Sequence, residues 1–223
     1  MEGRFLPGEV LTIRALAGAL GTSTMPVREA LQRLGAERAL RFLPNRSIRV
    51  PAMSKASFVD LTRVRLCLEG FAAEIAAKDI NEQELGQLAR AIRQMEAATE
   101  AGDGDDFSAG NQRFHFGIYR ASRSEHLLPM IETLWLRIGP FLASTVRTET
   151  ALTPLGRELV DQTYHNQAIE ALRRGDGAAA RVAIEEDLSH AAALYHRYHS
   201  FPAGEDETGA GEPSDANVVT LGS

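Results

Sequence analysis

The strongest constraint on the fold is a helical spacing of apolar residues that runs through residues 53–200. Apolar side chains recur there every three or four positions, which is the pattern of helices with one buried face. The pattern predicts about six helices, at 55–78, 81–101, 104–121, 124–147, 154–174 and 176–199. Because no strand-like alternation interrupts them, we expect an all-α antiparallel bundle and a chain that is mainly α.

Residues 1–52 differ, because short periodic segments alternate there with glycine and proline. Leu11–Leu20 is predicted to form a short helix that ends at Gly21. Ser23 is placed to cap a second helix, whose buried stripe would comprise Val27, Leu31 and Leu34. Two short helices joined by a few residues are typical of a helix-turn-helix.

A hairpin is predicted directly after the second helix. Residues 40–43 and 48–50 are strand-like and flank a polar tip at 44–47. We therefore predict a winged helix-turn-helix at 1–52 and a helical domain at 53–200. Residues 201–223 hold five acids and no base, which predicts a disordered acidic tail.

The two predicted domains carry opposite charge. Eight arginines against four glutamates give residues 1–52 a charge of +4, which leaves −10 for the rest of a chain whose total is −6. A basic module joined to an acidic one is expected of a DNA-binding head on a body that does not bind DNA.

Composition also indicates where such a chain works. Cys67 is the only cysteine, so no internal disulfide can form, as is usual in a reducing cytoplasm. No apolar run is long enough to cross a bilayer, and the N-terminus lacks the apolar stretch of a signal peptide. We expect a cytoplasmic protein with no membrane partner.

Several segments carry a family resemblance. Residues 7–34 resemble the winged helix-turn-helix of GntR-family transcription regulators, and Pro26–Leu31 (PVREAL) is the most specific part. Segments 65–69, 111–115, 134–137 and 165–176 resemble the FCD sensor domain of the FadR subfamily. The resemblance implies a homodimeric regulator, most simply a repressor, that binds double-stranded DNA at inverted-repeat operators and responds to a small carboxylate effector.

The head departs from the family pattern in several places. The family's head opens with a full helix before the PGE segment, whereas this chain starts almost at that segment, so we expect a head that lacks its first helix. Thr24 stands where an arginine often touches DNA, Arg38 where glycine usually ends the recognition helix, and Ser47 where the wing often has glycine.

Five residues of the head are predicted to contact DNA: Ser23, Thr24, Arg28, Gln32 and Arg46. The first four lie at the start of the recognition helix or within it. Such a helix enters the major groove with its N-terminal residues facing base edges. The fork of Arg28 matches guanine O6 and N7. Arg46 lies at the predicted wing tip, where it would contact the DNA backbone or minor groove.

The body contains a candidate site for a divalent metal such as zinc or nickel: Asn111, His115, His165 and Asp187. Asn111 and His115 are at i and i+4, so they project from one helix face. The resemblance assigns ligand positions to all four, although the family's metal-binding members have histidine where this chain has Asp187. His190 is a rival fourth ligand, and the alternative is that His115 and His165 bind an anionic effector directly.

The effector's carboxylate is expected to contact Arg65 and Arg137, which the resemblance places near the pocket. Tyr119 and Trp135 are expected to be core or pocket wall. A metal-dependent enzyme on a helical bundle is the alternative from another class, but no general base, nucleophile elbow or phosphate loop accompanies the histidines. A further alternative is a metabolite-binding paralogue that no longer binds DNA.

Overall fold

The fold is mainly α, with a small three-stranded sheet in its N-terminal part. The computed structural model describes residues 5–44, 47–148, 158, 161–198 and 201. It confirms the predicted fold class of a winged helix-turn-helix followed by a helical bundle. Within the described residues, no helix is long and apolar enough to span a membrane.

The head consists of strand β1 and two helices followed by a hairpin. Its elements are β1 (Val10–Thr12), α1 (Ile13–Ala19), α2 (Thr24–Ala36), β2 (Arg41–Phe42) and β3 (Ser47–Arg49). Strand β3 lies between the other two and is antiparallel to both. The hairpin confirms the predicted wing, while its tip at 45–46 lies outside the described residues.

The start of the first predicted helix is corrected by the structure. Val10–Thr12 is a strand because it pairs with Ser47–Arg49, and the helix begins only at Ile13. The Thr12 hydroxyl accepts a hydrogen bond from the Ala15 N–H at 3.1 Å and so caps the helix. Gly21 follows the helix with a φ of +61°, which favours glycine.

Helix α2 buries the predicted stripe against α1 and the sheet. Val27 and Leu31 are buried in the head's core, and Leu34 packs on it from a half-buried position. Ser23 occupies the N-cap position as predicted, but its side chain makes no capping hydrogen bond.

The body contains six described helices, and five of them meet around the candidate site. They are α3 (Lys55–Asp79), α4 (Glu82–Ala101), α5 (Gly104–Ala121), α6 (Leu127–Thr148), α7 (Thr163–Arg173) and α8 (Gly177–Tyr198). Helix α4 begins with a capping box between Asn81 and Glu84 and packs along α5. Leu88, Met95 and Phe114 are fully buried in this core.

The predicted helix at 154–174 is interrupted at 161–162 in the part of it that the structure describes. Asp161 and Gln162 are not helical, and α7 starts at Thr163. The Asp161 carboxylate accepts hydrogen bonds from the Thr163 N–H at 2.9 Å and from its hydroxyl at 2.6 Å. A side chain that captures the backbone of the next turn competes with helix continuation, so a new helix begins here.

Small residues bring α3 and α8 close together. Gly70, Ala73 and Ala77 are buried on α3, and Ala180 is buried on α8. A Cβ on Gly70 would lie 2.8 Å from the Cγ of Glu185, so that side chain would have to shift. A Cβ on Gly177 at the start of α8 would lie 2.6 Å from the backbone oxygen of Glu74, so a larger residue there would push the helices apart. This approach places the Asp187 turn of α8 beside the Arg65 turn of α3.

The predicted tail begins with an ordered contact. The Phe201 ring stacks on Phe141 at 5.5 Å and lies 5.3 Å from Phe58. The rest of the tail, at 202–223, and therefore the prediction of disorder, lie outside the described residues.

The position that resembles a helix-ending glycine has the backbone conformation of one. Arg38 has a φ of 57°, which costs an L-residue roughly 1–2 kcal/mol relative to glycine. We therefore expect Arg38→Gly to raise the head's free energy of unfolding by about 1 kcal/mol, measured by urea denaturation. Arg33→Gly, within helix α2, should lower it by about 0.5–1 kcal/mol. Equal effects of the two variants would contradict this assignment.

Candidate functional site

A cavity of about 100 Å³ lies among the helices of the body. This volume is well above the roughly 10–15 Å³ that one water needs, so the cavity has room for a small ligand. Side chains from α3, α5, α6, α7 and α8 line it, among them Arg65, Asn111, His115, Trp135, His165, Asp187 and His190. The structure therefore brings all four predicted metal ligands to one cavity.

Three of the predicted ligands form a compact cluster. His115 on α5, His165 on α7 and Asp187 on α8 offer donor atoms that all lie within 4.8 Å of one another. The Nε2 atom of His115 is 3.3 Å from one oxygen of Asp187, and the Nδ1 atom of His165 is 3.7 Å from the other. Both imidazoles are buried, so this carboxylate is the common neighbour of two shielded nitrogen donors.

Asn111 contacts the cluster from the far side of His165. Its amide oxygen lies 3.3 Å from Nε2 of His165, whereas Nδ1 of the same ring faces Asp187. That Nδ1 atom is buried and has no hydrogen-bond partner. A buried ring nitrogen without a partner is costly unless a ligand or ion satisfies it.

Of the other residues predicted to contact the effector or the metal, Arg65 and His190 line the cavity and Arg137 does not. Arg65 lines the cavity, but its Nε and Nη2 atoms donate to Glu69 at 2.6 Å and 3.2 Å. Arg137 is half-buried on α6 and is not among the described residues that line the cavity. His190 lines the cavity outside the three-residue cluster, and its buried Nε2 atom has no hydrogen-bond partner.

A buried polar chain behind His115 was not foreseen from the sequence. The Tyr119 hydroxyl lies 3.0 Å from Nδ1 of His115 and donates to Glu69, which in turn pairs with Arg65. The guanidinium of Arg65 also lies over the Trp135 ring, 5.2 Å from its centroid. The available signal was an arginine and a glutamate at i and i+4 on the buried face of α3.

The electrostatics of the cluster favour neutral imidazole beside an ionised carboxylate. Burial lowers the pKa of His165 to about 4, against the opposing attraction of Asp187. Burial alone would raise the pKa of Asp187, but the attraction of His165 when it is protonated and the charge of Arg65 hold it at about 2. At neutral pH, His165 is therefore a nitrogen donor and Asp187 an anion.

The second candidate surface is the exposed face of α2 in the head. Thr24, Arg28 and Gln32 are exposed there, and Ser23 is exposed just before the helix begins. Arg28 and Gln32 border a shallow cleft together with Phe42 of the hairpin. These four predicted DNA contacts thus share one side of the head, while Arg46 lies outside the described residues.

Comparison with known proteins matches both parts of the chain to family models. Residues 1–50 match the model described as bacterial regulatory proteins, gntR family, and residues 60–190 match the FCD domain. The chain belongs to the GntR family. This DNA-binding regulator carries an FCD domain behind its winged helix-turn-helix, as the resemblance implied.

Individual relatives agree with this assignment. The GntR regulator is 32% identical to the HTH-type transcriptional regulator McbR of Escherichia coli, over 88% of each chain. It is 27% identical to a probable D-xylose utilization operon transcriptional repressor of Paenarthrobacter nicotinovorans, over 87% of this chain and 80% of that one. These relatives are transcription regulators, so the chain is a regulator and the enzyme hypothesis is not supported.

Solved structures give the same fold. The structure of E. coli McbR/YncC superposes with a TM-score of 0.80 at 31% identity, covering 88% of this chain and 92% of that one. A putative GntR regulator from Rhodococcus sp. RHA1 has a TM-score of 0.68 at 20% identity, covering 89% and 92%, which supports the fold alone.

The depressed pKa of His165 predicts how the GntR regulator's stability depends on pH. Between its unfolded pKa of about 6.5 and its folded pKa of about 4, His165 is protonated only when unfolded. The contribution of His165 to the free energy of unfolding is therefore fully present above pH 6.5. It falls as the pH drops towards 4, by up to about 3 kcal/mol.

The test is urea denaturation of chelator-treated protein from pH 7.5 to 4.5. His165→Gln should flatten the slope, whereas His126→Gln should leave it unchanged because the His126 side chain is 91% exposed. A His165→Gln protein with the parent's slope would contradict the buried, neutral imidazole.

Proposed function

We propose that this GntR regulator is a repressor whose affinity for an inverted-repeat operator is controlled by a small carboxylate bound beside a divalent metal ion in the FCD domain. The observation that carries the proposal is the cluster of two buried imidazoles and a carboxylate within 4.8 Å.

The donors fit a divalent ion such as zinc or nickel. His115 and His165 supply the neutral nitrogen atoms that borderline metals prefer, and Asp187 supplies an anionic oxygen. The Nδ1 atom of His165 is buried without a hydrogen-bond partner, as expected of a nitrogen that binds an ion. When bound, the ion would supply positive charge to hold an anion in the cavity.

Asn111 is better suited to orienting His165 than to joining the cluster. The sequence predicted it as a fourth ligand, but its amide oxygen lies against the ring nitrogen turned away from Asp187. A partner on the second ring nitrogen fixes the orientation and tautomer of a ligating histidine. We therefore assign the metal to His115, His165 and Asp187, with Asn111 as support.

The effector we propose is a small carboxylate, and the cavity limits its size. About 100 Å³ accommodates a compact anion. The buried Nε2 atom of His190 is available to hydrogen-bond that anion. Arg65 contributes its charge from behind, since two of its nitrogen atoms serve Glu69. Arg137 lies too far round α6 to be part of this cavity wall, so we propose no effector contact for it.

The signal would pass to the head through α3. This helix carries Arg65 and begins at Lys55, six residues after the last strand of the wing at Arg49. In a homodimer, a change in how α3 packs alters the separation of the two heads and thus their fit to an inverted repeat. The cytoplasm is the compartment where such a regulator meets DNA.

Arg28 is proposed to read a base in the major groove. It is exposed on the recognition helix beside Gln32, and its fork matches guanine. Arg28→Ala should therefore weaken binding to the operator in the chain's own upstream region by about 1–3 kcal/mol, measured by fluorescence anisotropy at fixed salt.

Arg90→Ala is the matched control, because Arg90 is exposed on α4 in the body and the variant makes the same change in charge. Binding by Arg28→Ala as tight as that of the parent would exclude base reading by this side chain. A parent protein that binds no upstream sequence would favour the paralogue that has lost DNA binding.

The metal site predicts a stabilisation that depends on the histidines. An ion that binds only the folded state at about 100 times its Kd adds about 2.7 kcal/mol, which raises Tm by roughly 5–10 °C. Zinc, nickel and manganese should be tested one at a time by thermal shift after chelation, with elemental analysis of the untreated protein. His115→Ala should abolish the shift.

His190→Ala separates the metal from the effector. Because His190 lies outside the cluster, this variant should keep the metal shift but lose the additional shift produced by a panel of small carboxylates. Loss of the metal shift would make His190 a ligand. A parent protein that responds to neither chelator nor metal would end the metal proposal and assign both buried imidazoles to the anion itself.

A further inference from the structure

The donor and the acceptor of each hydrogen bond can be assigned in the buried chain that runs from Arg65 through Glu69 and Tyr119 to His115. Glu69 is fully buried and accepts two hydrogen bonds from the Arg65 guanidinium. A buried carboxylate paired in this way is ionised, so both of its oxygens only accept hydrogen bonds. Every group that forms a hydrogen bond with Glu69 must therefore be the donor.

Tyr119 has one proton, and Glu69 takes it. The Tyr119 hydroxyl donates to Oε2 of Glu69, an oxygen that can only accept. The same oxygen lies 3.0 Å from Nδ1 of His115. With its proton already committed, the oxygen can only accept, and Nδ1 of His115 must be the donor.

A neutral imidazole protonated at Nδ1 has a bare lone pair at Nε2. That Nε2 atom points at Oδ2 of Asp187 over 3.3 Å. Two acceptors at this distance repel unless a cation lies with them. We propose that Arg65, Glu69 and Tyr119 are positioning residues that fix His115 as the Nδ1–H tautomer and so reserve its Nε2 lone pair for the metal ion; this inference rests on the proposed metal site.

The arrangement at His165 is the mirror case. Its Nε2 atom lies 3.3 Å from the acceptor oxygen of Asn111, which places the ring proton on Nε2. The lone pair is then on Nδ1, the atom that faces Asp187 over 3.7 Å and has no hydrogen-bond partner. Both imidazoles thus aim a lone pair at one carboxylate, each held by a partner on its other nitrogen.

Tyr119→Phe is the informative variant because it leaves the Arg65–Glu69 pair intact. Without an acceptor at Nδ1, the proton of His115 should move to Nε2, where it can donate to Asp187. Removing such a supporting contact typically weakens metal binding by about 10–100-fold. Tyr195→Phe is the matched control, since it also deletes one tyrosine hydroxyl but one that donates to the Leu142 carbonyl.

The tautomer is read directly by long-range ¹H–¹⁵N correlation spectra of chelator-treated protein at pH 8, with His115→Gln used to assign the signal. We expect the Nδ1–H form in the parent and in Tyr195→Phe, and the Nε2–H form in Tyr119→Phe. Zinc affinity, measured on the same samples by competition with a chelating dye, should fall at least tenfold in Tyr119→Phe and less than twofold in Tyr195→Phe.

An Nε2–H signal in the parent, or an unchanged tautomer in Tyr119→Phe, would overturn the inference even if zinc binds. An unchanged zinc affinity in a Tyr119→Phe protein whose tautomer has switched would also overturn it. A parent with the expected tautomer that binds no zinc, nickel or manganese would instead sink the metal site and leave the assignment of the tautomer in place.

Discussion

Charge inside a helical bundle survives only where an opposite charge or a hydrogen bond meets it, and the interior of this FCD domain depends on that rule. Glu69 is fully buried and Asp187 nearly so. Arg65 neutralises the first, and at the proposed metal site the second would share a cation with the imidazoles of His115 and His165. These contacts come from four different helices, so the positions of α3, α5, α7 and α8 are tied to one another by polar contacts as well as by apolar packing.

The close approach of α3 and α8 brings Asp187 near the turn of α3 that carries Arg65. Gly177 leaves no room for a Cβ against the backbone of Glu74, and the buried alanines of α3 give the facing helix a shallow surface. Bulkier residues there would move Asp187 away from the turn that carries Arg65. Backbone spacing set by apolar positions thus determines distances between charged groups several ångströms away.

Helical spacing alone was enough to predict the body, because each helix buries a continuous stripe that is visible in the sequence. It could not predict the strand Val10–Thr12, whose pairing partner lies at Ser47–Arg49. The break at Asp161 was also missed, since it depends on one local hydrogen-bond geometry at Thr163. The helix propensity of a short window of sequence depends neither on a distant strand partner nor on whether a side chain caps the backbone.

The candidate site was predictable where a ligand type stood at a family position and unpredictable where a residue acts through another. His115, His165 and Asp187 lie together as expected. Tyr119 was assigned to the core or pocket wall, because a tyrosine among apolar residues looks the same whether or not its hydroxyl serves a histidine. Only the folded arrangement shows that its partners are Glu69 and His115.

In the proposed mechanism, helix α3 would act as a lever arm. It is a single 25-residue element, and Glu69 lies 14 residues from its N-terminal end at Lys55. At 1.5 Å per residue that separation is about 21 Å, so a tilt of roughly 5° about Glu69 swings the end nearest the head by about 2 Å. A displacement of that size exceeds the tolerance of a hydrogen bond to a base edge. In the proposed mechanism, slight repacking around this carboxylate would therefore be magnified into a misfit at the DNA.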